Sequence, residues 1–396
     1  MAILRRALAA AVVVALSPAL LGCSGGSPPP VVPAPTFVPR SEPRTIDPAV
    51  DYAHDRLATM TIAQKVMSML MVHVPGTQPA ATVPASYDGV GGFILMSDNI
   101  PGSLAELSAQ TAALSGETGL PALIATDQEG GIVRRVPGDD WPSASQLRLE
   151  TPQASFDAFA QRGALLESVG VSVNFGIVAD IASDRSSFIY ERSLGATGED
   201  AAARVTEAVA GEFPILSTLK HFPGHGVAPG DSHSSIPTSS ISLADWNATH
   251  ALPFEAGIDA GAPFVMFGHL ALTAVDPEPA TFSPRWHEIL RDDLGFDGIA
   301  ITDDMGMLER SGVPEYADQV KNAVRAIEAG NTMLLYVGEV DAPGVVAAVT
   351  QAITDGEIDE TAIDEATLRL LTLRRTLSGE TGRFVHCSEE CAAISQ

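Results

Sequence analysis

Cationic side chains are scarce in this chain: 23 Lys and Arg stand against 49 Asp and Glu in 396 residues, a formal net charge of −26. That balance excludes nucleic-acid binding, because neutralising phosphates takes clustered Lys and Arg. Cysteine is scarcer still, with three residues at positions 23, 387 and 391. The interior therefore offers no thiol for a Cys-based metal site, and no HExxH pattern occurs. No GxGxxG follows an early strand-like run, no phosphate-binding loop is present, and no repeat of 20 to 50 residues is found. What remains is the composition of a soluble globular protein, 45% hydrophobic and 18% charged, long enough for one large domain or two modest ones.

The first 22 residues read as processed material. Arg5 and Arg6 precede an apolar stretch, Ala7–Leu21, too short to span a bilayer comfortably, and small residues follow it. This is the layout of a secretory signal. Its ending, Leu20-Leu21-Gly22-Cys23, resembles a bacterial lipobox. The resemblance implies cleavage before Cys23, lipid on its thiol and new amino terminus, and an extracytoplasmic protein anchored to the bacterial cell membrane. An ordinary cleavable signal with an incidental cysteine is the alternative. Residues 23–46 are rich in Pro, Gly and Ser and read as an extended tether that cannot bury a core. The folded domain is expected over 47–380, followed by a tail over 381–396. Cys387 and Cys391 lie close together in that tail, and spacing alone leaves their pairing open.

From about Asp47 onward, short apolar runs alternate with Ala-rich stretches of helical spacing. Strands are predicted at Gly92–Met96, Ala122–Ala125, Val171–Phe175, Ile215–Leu219, Phe264–Phe267, Ile299–Ile301 and Met333–Val337. Helices are predicted at Leu104–Leu114, Ser155–Leu166 and Tyr316–Ala329. Recurring strand-then-helix order predicts an α/β fold with a parallel sheet covered by helices, and the length fits a single TIM-type (β/α)8 barrel. A doubly wound open sheet comes second, because its glycine fingerprint is missing. Asp127, Asn174, Lys220 with His221, His269 and Asp303 fall at or near predicted strand ends. In a barrel those ends open onto one face, so these groups would converge on one pocket. Taken singly, Asp303 or Asp304 could instead be a helix cap.

The densest chemistry lies in Lys220-His221-Phe222-Pro223-Gly224-His225-Gly226, followed by Asp231-Ser232-His233. Pro223 and the two glycines exclude a regular helix. His221 and His225 are four apart, a spacing that suits a metal only on a helix, so no metal is expected. A blander reading is that some of these histidines, His225 above all, only hydrogen-bond within a polar loop. In an extended segment Asp231 and His233 point the same way, and a carboxylate on one imidazole nitrogen raises the basicity of the other. The loop Gly226–Gly230 has no obvious apolar anchor beyond Val227 and is expected to be mobile, a lid that brings His233 to substrate. A converging set of Asp, His, Lys and Arg without a cofactor fingerprint suits hydrolysis of a polar substrate, with no cofactor required. Glycoside hydrolysis needs an anion and a proton donor, for which Asp303 and His233 are the candidates.

Three segments together carry a resemblance: Asp127-Gln128-Glu129-Gly130-Gly131, the block Lys220–Gly226 with Asp231-Ser232-His233, and Thr302-Asp303-Asp304-Met305. They resemble glycoside hydrolase family 3, in particular its NagZ-like β-N-acetylglucosaminidase branch, over roughly Asp47 to Arg375. The resemblance implies a (β/α)8-type barrel and a retaining double displacement through a covalent glycosyl-enzyme. Asp303 matches the nucleophile, and His233, partnered by Asp231, the general acid/base. Asp127, Arg135, Arg192, Lys220 and His221 match positions that hold the sugar hydroxyls and acetamido group. The implied substrate is a GlcNAc-containing cell-wall fragment, cleaved at its non-reducing end by an enzyme expected to act as a monomer. Two rivals stay open: a phosphorylase with phosphate in place of water, and a sugar-binding lipoprotein without turnover. Val227-Ala228 replaces a frequent Asp-Thr, and Ile132 a frequent Arg, which leaves the aglycone preference open. The chain is also expected to be too short for the second domain that many relatives carry.

Overall fold

The computed structural model describes residues 47–382 and residue 384. The segments expected to be a signal at 1–22 and a tether at 23–46, with Cys23, and Cys387 with Cys391 all lie outside the described residues. Eight strands form the centre of the folded part. They are β1 (Leu70–His73), β2 (Gly92–Leu95), β3 (Leu123–Thr126), β4 (Val173–Val178), β5 (Leu216–Phe222), β6 (Phe264–Phe267), β7 (Ile299–Asp304) and β8 (Met333–Tyr336). Each pairs in parallel with its neighbours in chain order, and β8 closes on β1 with Leu334 opposite Leu70. An open doubly wound sheet would leave two unpaired edges. The barrel has none.

Seven of these strands coincide with the predicted runs. The first, β1, was not anticipated. It follows the helix Ile62–Ser68 after the single residue Met69, with no Gly or Pro to mark the boundary. The fourth predicted run ends at Phe175, just before Gly176. The strand instead continues to Val178, and its register against β5 shifts between Asn174 and Ile177. A glycine inside a strand often marks such a bulge.

Helices follow most strands, and their ends carry the expected chemistry. Thr197 accepts from the Asp200 N–H at the start of the helix Gly198–Glu212, whose first turn holds Glu199 and Asp200. Asp318 caps Gln319–Ala329, which ends at Gly330 with φ +117. The helices Pro152–Ser168 and Gly198–Glu212 approach closely because Gly163 faces the Glu212 carbonyl and Gly211 faces that of Phe156; a Cβ at either would collide. One apolar cluster fills the barrel around β1, β2 and β8, and another packs Phe222, Trp246, Phe254, Phe267 and Trp286 outside β5 and β6. Among the described residues no helix is long and apolar enough to cross a membrane.

Candidate active site

Every strand runs the same way, so the segments after β3, β4, β5 and β7 reach one face. Asp127 directly follows β3, while Lys220 and His221 lie within the last three residues of β5. Lys220 Nζ donates to Asp127 Oδ1 at 3.0 Å and pairs with Glu129 Oε1 at 2.7 Å. Arg192 clamps the same Glu129 carboxylate with Nε at 2.8 Å and Nη2 at 2.7 Å. Arg135 Nη2 reaches Asp127 Oδ2 at 3.5 Å. All five predicted sugar-holding residues but His221 thus join one ion network, and its hub is Glu129, which is 3% exposed. Burial pushes the Glu129 and Asp127 carboxyls up, yet the Lys220 charge, with Arg192 on Glu129 and Arg135 on Asp127, outweighs it and holds both below the ordinary range. Both are therefore acceptor-only anions at neutral pH.

His221 is organised by a residue that the sequence reading passed over, Asp180, two positions beyond β4. The Asp180 carboxylate takes His221 Nδ1–H at 2.7 Å, the His221 backbone N–H at 3.2 Å, and the His225 backbone N–H at 2.5 Å. Burial pushes its carboxyl up to about 6, so it is largely ionised at pH 7. Burial and then Arg192 hold the His221 imidazole well below its usual value, hence neutral. With Nδ1–H committed to Asp180, Nε2 is the acceptor, and Arg192 Nη2 donates to it at 3.4 Å. A strand-end acid after Val178 was the available signal; the early end placed at Phe175 hid it.

Asn174, expected among the strand-end groups, does not belong to the pocket. It is the second residue of β4 and fully buried. Its Oδ1 accepts from Gln128 N–H at 2.9 Å, and its Nδ2 donates to the Gln128 carbonyl at 3.0 Å and to Glu212 Oε1 at 2.5 Å. It braces the turn that presents Asp127 and Glu129. Gln128 completes the brace by donating Nε2–H to Asp139 at 2.9 Å and accepting from the N–H groups of Arg135 and Val136.

The adjacent acids on β7 have separate jobs. The Asp304 carboxylate is buried and accepts from Val337 N–H at 2.9 Å, Gly306 N–H at 3.1 Å and Arg310 at 2.8 Å. Neither acid is the N-cap of the following helix Gly306–Arg310, which is Met305, but Asp304 is the one whose carboxylate is taken up by backbone and Arg310 contacts. Asp303 is only half-buried and faces the pocket, where its negative charge acts on His221, His225 and His269. His269 is fully buried beneath it, donating Nε2–H to the Asp304 carbonyl at 3.0 Å and accepting from the Thr281 hydroxyl at 2.8 Å. It supports β7 and does not line the pocket.

Asp231 and His233 pair as anticipated, with Nδ1–H to Oδ1 at 2.6 Å and the His233 N–H to the same oxygen at 3.0 Å. Burial pushes the Asp231 carboxyl up, but the two His233 hydrogen bonds together with the His233 and His225 charges outweigh it and keep it below the ordinary range. An ionised Asp231 can only accept, which leaves His233 Nε2 free for proton transfer. The side chains are 49% and 63% exposed. The loop before them is better anchored than expected. Ala228 is buried in the Trp246–Phe254 cluster, and Gly226 lies against the Ile181 carbonyl, where a Cβ would collide. Exposure begins at Pro229 and is broken at the buried Ser232. His225 is not a loop hydrogen-bonder either: its ring is 1% exposed and neither ring nitrogen has a partner. Among the described residues, no His, Cys, Asp and Glu set comes together as a metal site.

Residues 61–373 match the glycosyl hydrolase family 3 N terminal domain. The chain belongs to glycoside hydrolase family 3. It is 31% identical to a β-hexosaminidase of Nitrosomonas eutropha over 82% of this chain and 96% of that one. It is 30% identical to the β-hexosaminidase LpqI of Mycobacterium tuberculosis, over 92% and 96%. Among solved structures, a family 3 β-N-acetylglucosaminidase from Paenibacillus sp. str. FPU-7 superposes with a TM-score of 0.75 at 31% identity, covering 84% of this chain and 65% of that one. The M. tuberculosis LpqI structure superposes at 0.72 and 28%, covering 82% and 95%.

Proposed function

We propose that this protein is a retaining exo-β-N-acetylglucosaminidase that removes terminal GlcNAc from peptidoglycan fragments. The carrying observation is the division of labour at the barrel mouth. Asp303 is a half-buried carboxylate free of the Val337, Gly306 and Arg310 contacts that occupy Asp304, and an Asp231-oriented imidazole stands on the same face. Their surroundings suit a polyhydroxylated substrate, with Asp127 and Glu129 as acceptors and Lys220, Arg135 and Arg192 as donors. The β-hexosaminidase names of relatives matched over most of both chains support the same reading.

In this mechanism the Asp303 carboxylate attacks the anomeric carbon while His233 Nε2–H protonates the departing glycosidic oxygen. The C–O bond to the aglycone breaks as the Asp303 ester forms. Neutral His233 then takes a proton from water, whose oxygen attacks the anomeric carbon and releases Asp303. A histidine serves here because its ordinary pKa lies near working pH and its neutral form does not repel the nucleophile. The stretch 229–234, exposed except at Ser232, would carry the dyad over the bound sugar. A lipid on Cys23 would hold the enzyme at the outer surface of the cell membrane, as the lipobox implies.

The test is product analysis on muropeptide fragments with and without phosphate, following the anomer by NMR. Release of free β-GlcNAc, independent of phosphate, is expected. GlcNAc-1-phosphate would make the enzyme a phosphorylase, α-GlcNAc would exclude retention, and binding without product would leave a sugar-binding protein.

A further inference from the structure

Phe188 is a half-buried aromatic that no step above uses. Its ring stands edge-on to His225 with centroids 4.5 Å apart, and near-perpendicular to His233 at 6.4 Å. His225 in turn stands edge-on to His221 at 5.9 Å. Four rings therefore run in file from the sugar-holding His221, through His225 and Phe188, to the exposed His233.

The two ends of this file are held differently. Phe188 rides on the loop after β4, which is pinned from several sides. Ile189 is fully buried against Val178 and Ala182. Arg148 donates to the carbonyls of Ala182 at 2.8 Å and Tyr190 at 3.1 Å, and Ser193 Oγ donates to the Asp180 carbonyl at 2.7 Å. At the other end, the hydrogen bonds of Asp231, His233, Ser234 and Ser235 run among residues 231–235. Those bonds set the shape of the dyad, but not where it stands over the pocket. His225, whose ring is buried without a hydrogen-bond partner, backs Phe188 by the edge-on ring contact and is itself tied down through its backbone N–H by Asp180.

We propose that Phe188 is the positioning residue for the acid/base His233: its ring, backed by His225, is the fixed surface against which the exposed imidazole seats. The proposal rests on the reading of His233 as the acid. A displaced proton donor slows leaving-group departure and leaves the sugar contacts untouched. An edge-to-face ring contact accounts for a factor of about two to ten.

The experiment compares Phe188→Ala, Phe188→Leu and Phe188→Tyr with His233→Ala on β-N-acetylglucosaminides running from a dinitrophenyl to an alkyl aglycone. For Phe188→Ala, kcat/KM should fall about threefold to tenfold on the alkyl glycoside and hold on the dinitrophenyl one. Inhibition by free GlcNAc should be unchanged. Phe188→Tyr, which keeps the ring, should restore the wild-type series, and Phe188→Leu, which keeps bulk without a ring, should track Phe188→Ala at an unaltered melting temperature. Equal losses across the series, or a rise in KM with kcat unchanged, would overturn the proposal; the second would mark Phe188 as a substrate contact. A flat His233→Ala series would remove the acid assignment and the proposal with it. A steep His233→Ala series beside a flat Phe188→Ala series would remove the proposal alone.

Discussion

Replacing Glu129 by Gln asks whether the ion network, more than any single sugar contact, holds the pocket in shape. The wild-type carboxylate takes Lys220 at 2.7 Å and Arg192 at 2.8 and 2.7 Å, almost out of reach of water. The amide keeps the volume and one acceptor, but it removes the charge and turns an NH2 group toward a cation. Lys220 would keep Asp127 at 3.0 Å, whereas Arg192 would keep the weaker 3.4 Å contact to His221. Leaving a buried charge without its partner costs about 3–5 kcal/mol. Roughly 330 folded residues at about 2.1 cal/mol/K each give an unfolding entropy near 0.7 kcal/mol/K, so melting should fall by about 4–7 °C. The pH dependence has a definite sign. The Glu129 carboxyl is held below its ordinary range, so its stabilisation is complete above that range and is lost as pH falls through the depressed folded value. The gap between wild type and variant should thus be widest near neutrality and close in acid. Thermal melts across that pH range, with KM measured in parallel, provide the assay. A melting temperature within about 1 °C of wild type at neutral pH, with KM unchanged, would refute the network argument.

Asp303→Ala should abolish turnover while GlcNAc binding by calorimetry persists, whereas Asp304→Asn should keep measurable activity and lose about 1–3 kcal/mol of stability, because its NH2 group would replace the oxygen that accepts from Arg310. An inactive, normally stable Asp304→Asn would reverse the two roles. Asp180→Asn removes the anion that fixes the His221 tautomer, so KM should rise about tenfold and the imidazole 15N shifts should show Nε2 no longer held as the acceptor; unchanged shifts would count against Asp180 as the orienter. Cys23→Ser should move the protein from the membrane pellet to the soluble fraction, and an unchanged distribution would remove the proposed anchor.

Much of the barrel was legible because strands buried on both faces make short apolar runs, and Gly, Pro and polar residues punctuate most of them. Where punctuation failed, so did the reading. The boundary between Ser68 and Leu70 carries no signal, and the fourth predicted run ends just before Gly176, inside β4. That second slip assigned Asn174 to the pocket and missed Asp180. The Lys220–His233 segment stood out more plainly, since a short stretch that packs Lys, His and Asp side chains around Pro and Gly cannot be a regular helix. The mutual arrangement of those residues was another matter. Glu129 sat in plain view within its motif, but nothing in Asp127-Gln128-Glu129 says that it would hold Lys220 and Arg192.

By itself, then, the sequence determined the alternation that makes a barrel, the polar groups at several strand ends, and the local Asp231–His233 pair, all of which depend on neighbours within a few residues. Only the tertiary structure decided which of two adjacent acids faces the pocket, which buried acid orients His221, and which aromatic stands against His233. Each of those depends on side chains tens of residues apart in the chain that meet because adjoining strands end together at one barrel mouth. Burial there sets their charge states, and no local pattern encodes it.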